Sequence, residues 1–187
     1  AAEPQRASTF ELRVRIPQWA TGANAEVNGA RVEAAIEAGQ WLRIQRPWSA
    51  GDTVVLHLPM SPRLHRRSMR NVQEFRAPDG RQVAQQVLRF DHAGLTYGPL
   101  AYATGLIDGF KIEETVRLPD APERDWIAPV AVEHAPGMEL DVQLGYRAPL
   151  RFVPYYRAGG RVDGAWRLVW MSLPPPQTDA VATNSGA

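Results

Sequence analysis

Four histidines, His57, His65, His92 and His134, and the adjacent acids Glu113 and Glu114 are the groups in this sequence best suited to acid–base or metal chemistry. Their spacing argues against it. Two metal-ligating histidines on one face need a short helical or strand step, and no HxH or HExxH occurs here. His57 and His65 could meet across a hairpin, but the ordinary reading of all four is as sheet-surface or partner-facing side chains. A hydrolase built on two carboxylates sets them across a cleft, about 5 to 9.5 Å apart. Glu113 and Glu114 are successive residues of an expected strand and so point to opposite faces. Asp108, Glu123 and Asp125 stand in turn-like sequence, where acids hydrogen-bond the backbone. Ser61, Ser68 and Ser172 lack the Gly-x-Ser-x-Gly elbow, and Gly159-Gly160 reads as a loop, not a phosphate cradle. The sequence has no cysteine, which removes disulfides, thiolate nucleophiles and thiolate metal sites together.

The aromatic residues offer a different chemistry, because an exposed indole or phenol face can stack on the apolar face of a sugar ring. Trp166, Leu168 and Trp170 share one face of an expected strand, while Tyr155 and Tyr156 point opposite ways. Trp19, Trp48 and Trp126 fall at loops or strand ends. These five tryptophans are the candidate carbohydrate-binding residues. A Trp-Leu-Trp stripe is more often core than platform, so exposure decides between the two.

Charge narrows the partners. The net charge is +1, and 20 of the 21 basic residues are arginine, with Lys111 the exception. The densest basic run, Arg63 to Arg70, neither extends nor interleaves with aromatics, so nucleic acid is not an expected partner. No apolar run approaches the roughly 20 residues of a membrane helix. Ala1-Ala-Glu-Pro-Gln-Arg6 has no signal-peptide core, and a chain without thiols suits a bacterial cytoplasm and a periplasm equally.

The elements that would position these side chains are strands. Phe10, Leu12, Val14 and Ile16 alternate with Glu11, Arg13 and Arg15, which makes a half-buried strand ended by Pro17. Ala25-Glu-Val27 and Ala30-Arg-Val32 flank Asn28-Gly29, a dipeptide that tolerates the positive φ of a tight hairpin. Trp41 to Arg46 alternates again, and Thr53 to Leu58 follows a Gly-Asp turn. Ala34 to Gln40 is the one stretch with a helical turn expected. Ser61 to Gly80 carries a weaker signal, with a reversal at Pro78-Asp-Gly80. Strands resume at Val83–Phe90, Leu95–Thr104, Ile112–Leu118, Ile127–Val132, Leu140–Leu144, Leu150–Tyr155 and Trp166–Met171. The expected class is all-β, two antiparallel, jelly-roll-like β-sandwich units in tandem. The first spans 9–66, the second 67–174, and 175–187 forms a disordered tail after Pro174-Pro-Pro176.

Several of these segments, taken in order, resemble the β-rich C-terminal part of glycoside hydrolase family 127, the β-L-arabinofuranosidases. They are Phe10-Glu-Leu-Arg-Val-Arg-Ile-Pro-Gln-Trp-Ala20, Val27-Asn-Gly29, Trp41-Leu-Arg-Ile-Gln-Arg46 and Gly51-Asp-Thr-Val-Val-Leu-His-Leu-Pro-Met60. Tyr97-Gly-Pro-Leu-Ala-Tyr102, Phe152-Val-Pro-Tyr-Tyr156 and Val169-Trp170 follow, so that the likeness covers residues 9 to 172. The resemblance implies an upstream (α/α)6 barrel with a nucleophilic cysteine, a zinc site and an acid/base glutamate, followed by two β-sandwiches. It also implies that this chain starts inside the first sandwich. With no cysteine present, no catalytic residue and no zinc ligand carries over, and no cofactor is expected in this chain. The expected role is that of a non-catalytic accessory region whose partner is the upstream barrel. The alternative is a carbohydrate-binding module for arabinose-containing glycans.

Overall fold

The computed structural model describes residues 7–105, 115–132, 138–159 and 167–174, with the side chains of 84–86 excepted. The chain divides into two units. One comprises Ala1–Ser61 with Tyr97–Pro99, the other Pro62–Thr96 with Leu100–Ala187.

The first unit holds β1 (Ser8–Arg15), β2 (Asn24–Val27), β3 (Ala30–Arg31), β4 (Trp41–Trp48) and β5 (Val54–His57). β1 and β4 form an antiparallel pair in which Leu12 opposes Ile44 and Val14 opposes Leu42. β3, β2 and β5 form a second, three-stranded sheet. Ala25 and Leu56 oppose one another there. Both sheets supply one core, in which Ile16, Ala25, Leu42, Ile44 and Trp48 are buried with Leu12, Val14, Val27 and Leu56 packed around them. The alternation read from the sequence is the alternation of burial from Leu12 through Ile16 and along β4, whereas Phe10, expected on the dry face, is exposed and stacks on Trp48. Pro47 sits inside β4, opposite Thr9, in a sheet of only two strands, where its missing N–H interrupts no further ladder.

The Asn28-Gly29 turn has φ of 52° and 79°, the pair of positive values a type I′ hairpin needs. Asn28 does more than turn. Its Nδ2 donates to Asp52 Oδ1 at 2.7 Å and its Oδ1 accepts from the Thr53 backbone at 2.8 Å, fastening the hairpin to the start of β5. Ala34–Gln40 forms turns and not a helical one. Gly39 donates to the Ile16 carbonyl and Ile16 to that of Gln40, so backbone bonds to β1's end replace intrahelical ones.

The second unit contains β6 (Pro62–Arg76), β7 (Gln82–Tyr97), β8 (Leu100–Gly105), α1 (Glu123–Trp126), β9 (Ile127–Ala131), β10 (Met138–Val142) and β11 (Leu150–Pro154). A 3-10 turn at Tyr155–Arg157 precedes β12 (Arg167–Leu168) and β13 (Trp170–Leu173). The eight strands form one sheet in the order β13-β7-β8-β11-β10-β9, with β12 on β8 and β6 on β7. Every strand pair whose register is resolved is antiparallel, including Leu140 opposite Phe152 and Val142 opposite Leu150. These four side chains are buried. Tyr102, fully buried on β8, donates its hydroxyl to the Met138 carbonyl at 2.8 Å, so its polar tip is satisfied inside the unit. The fold is all-β, as expected. The long β6 was the weakest sequence signal because it is exposed on both faces from His65 onward, and a strand with no buried face shows no apolar alternation.

Candidate functional site

The aromatic candidates part company in the structure. Trp48 is buried, stacks on Phe10 with centroids 5.7 Å apart, and donates Nε1–H to the Phe10 carbonyl. Trp126 is buried too and donates to the carbonyl of Ala121. Both rings are spent on packing. Trp19 is half-buried against the first unit's core. Trp170 remains exposed and lies over Gly94, where an added Cβ would meet the indole at 3.2 Å. Trp166 lies outside the described residues. Tyr155 and Tyr156 are both exposed, and so are Trp41 and Tyr146, which sequence reasoning did not single out.

The ionisable candidates do not converge. His57 pairs with Glu26 at 3.7 Å, while His65 meets the Thr96 hydroxyl at 2.9 Å. His134, Glu113, Glu114 and Asp108 fall outside the described residues. Among the described residues no three His, Asp or Glu side chains gather as a metal site would require. With no cysteine in the chain as well, the residues present do not fit the thiolate zinc centre that the resemblance implies for a catalytic barrel.

One carboxylate cluster was missed. Glu139 and Asp141 are two apart on β10 and are both held by Arg151, Glu139 at 3.0 Å from Nη1 and Asp141 bonded to Nε and Nη2. Glu139 also takes Arg157 Nη2 at 3.0 Å. The i, i+2 spacing was visible, but nothing in the sequence set two arginines beside it. Each acid is engaged by a guanidinium, so the cluster braces β10 and β11 and offers no free acid or base.

Two surfaces remain. The β6–β7 hairpin carries Met69, Val72, Phe75, Val83, Val87 and Phe90 exposed to solvent. A two-stranded hairpin with bare apolar side chains is marginal in water and presents an open edge. The second surface is a cleft of about 500 Å3 lined by β6, β7, residues 116–120 and the end of β13. Val116 donates to the Ser172 carbonyl at 2.8 Å, which ties that segment to β13 and forms an apolar floor with Leu118 and Leu173. On the wall, Ser68 donates to Asp91, and Arg89 reaches Asp91 at 3.2 Å. The Ser68 hydroxyl, with Arg89 adding to it, holds the Asp91 carboxyl below its ordinary range.

By fold this is an all-β region of antiparallel sheets. Residues 2–60 match the family model for the middle domain of the β-L-arabinofuranosidases of glycoside hydrolase family 127. Three solved structures are similar over most of the chain. A glycoside hydrolase is 23% identical with a TM-score of 0.58, covering 93% of this chain and 29% of its own. A family 127 β-arabinofuranosidase is 20% identical with a TM-score of 0.56, covering 91% and 28%. A family 127 β-L-arabinofuranosidase from Geobacillus stearothermophilus T6 is 22% identical with a TM-score of 0.54, covering 92% and 28%. Comparison with curated proteins gave no match. The chain thus spans under a third of the length of these structures, and the resemblance drawn from its motifs is borne out, by the family match over residues 2–60 and, for the fold of the rest, by its likeness to family 127 structures.

Proposed function

We propose that this chain is a non-catalytic accessory β region of a family 127-like glycoside hydrolase, and that it packs on and supports an (α/α)6 catalytic barrel carried outside this sequence. The bare β6–β7 hairpin carries the reading. From His65 to Arg76 every residue of β6 is exposed, and its apolar side chains have no cover among the described residues. Strands of this kind reach stability by burial against a larger partner. The solved relatives, of which this chain spans under a third, have the additional chain to supply one.

Amide exchange across residues 66–90 tests the idea. Exchange is fast in this chain alone and slows when a family 127 barrel is added in trans. Val72→Lys with Phe75→Lys leaves the fold intact, because both side chains are exposed, yet abolishes that protection. Turnover of an aryl β-L-arabinofuranoside by this chain alone, surviving purification controls, overturns the accessory role. The exposed Trp170 favours a second reading, a carbohydrate-binding module with an aromatic platform. Isothermal titration with arabinose-containing oligosaccharides separates the two: saturable heat at millimolar ligand supports the module, and heat of dilution alone leaves the support role.

A further inference from the structure

The cleft beside the hairpin has a charge pattern that a support role does not use. Three arginines, Arg66, Arg89 and Arg117, line it against two acids, Asp91 and Asp120, while Arg67, the next residue to Arg66 on β6, belongs to the opposite face with Met69, His92 and Trp170. The chain as a whole balances 21 basic against 20 acidic residues, so the excess is local. Asp91 is already engaged by Ser68 and Arg89. Arg66 holds no ion pair among the described residues. Arg117 sets its guanidinium 5.5 Å from the centre of the Tyr146 ring and takes no acid among the described residues. That ring is held in turn, its hydroxyl oxygen accepting the Arg117 backbone N–H at 3.2 Å.

The geometry points to a binding site for a carboxylate-bearing saccharide, such as a short uronate oligomer. A guanidinium fork grips a carboxylate through two parallel N–H bonds, which an ammonium group does not do. The floor of the half-buried Leu118 and Leu173, with Val116 buried beneath them, suits the apolar face of a sugar ring and has no use for a bare inorganic anion. The volume of about 500 Å3 is that of a small-ligand pocket. That the ligand is a sugar rests on the glycoside hydrolase reading above. That it is anionic rests on the cleft alone.

The arginine Nε–H resonances of the full chain, followed during titration with digalacturonate, provide the test. Saturable shifts at millimolar or lower concentration are expected, weakening with added salt as exposed charge pairs do. Neutral arabinobiose and inorganic phosphate are expected to give no saturable shift over the same range. Arg66→Gln with Arg117→Gln is expected to weaken binding about tenfold or more, while the circular-dichroism spectrum of the double variant stays that of the parent. The site is refuted by digalacturonate that shifts nothing up to roughly ten millimolar, or by a double variant that binds as the parent does. Equal response to arabinobiose or phosphate refutes the carboxylate-sugar class. None of these failures touches the exchange experiment on the hairpin.

Discussion

Glu139 is 8% exposed and stands between two arginines, so its removal has a cost that can be worked from its neighbours. In Glu139→Ala, Arg151 keeps Asp141, but Arg157 loses the carboxylate that held its Nη2 at 3.0 Å. Arg157 is only 22% exposed in its side chain, and its Nη1 is already buried without a partner. Breaking a buried pair from one side costs about 3–5 kcal/mol. Arg151 keeps Asp141 and water still reaches the 22% exposed Arg157, so about 2–3 kcal/mol is the better figure here. Arg157→Met should cost less, about 1 kcal/mol, because Glu139 keeps Arg151 and the new side chain retains the packing of the arginine stem. Urea unfolding followed by tryptophan fluorescence reads both. A Glu139→Ala cost below that of Arg157→Met would refute the view that the stranded guanidinium dominates. Glu139→Gln, which keeps the shape and gives up the charge, should fall between them.

Three further outcomes follow from the same geometry. Asn28→Ala loses two side-chain hydrogen bonds and puts a Cβ residue without a local polar anchor at φ 52°, at a cost of about 2 kcal/mol by thermal melting. Asn28→Gly keeps the turn and should lose about half as much. Asp52 is held below the ordinary carboxylate value of 3.8 first by the Ser49 N–H, then by Asn28 and Arg46. A depressed folded-state pKa means stability that is present above the ordinary value and lost as pH falls through the folded one. Carbon-13 titration of Asp52 should therefore show its midpoint rising toward 3.8 in Asn28→Ala, with that variant losing part of its acid dependence. Ser68→Ala should raise the Asp91 midpoint in the same way, since the Ser68 hydroxyl is the largest cause of its depression.

The elements with one wet and one dry face were legible in the sequence. β1, β4 and the Asn28-Gly29 hairpin follow from local rules, since period-2 alternation and a positive-φ dipeptide need no distant partner to be read. The all-β class and the absence of thiol chemistry came from the same source. Tertiary structure decided everything that depends on which distant residues meet. It buried Trp48 and Trp126 and left Trp41 and Trp170 exposed, though the six indoles are alike as residue types. It set Arg151 and Arg157 around Glu139, and brought Arg66, Arg89 and Arg117 to one cleft from three separate segments. Local sequence encodes which face of a strand is apolar, because the pleat is local. It does not encode the neighbour on that face, because the neighbour is chosen by strand pairing across tens of residues.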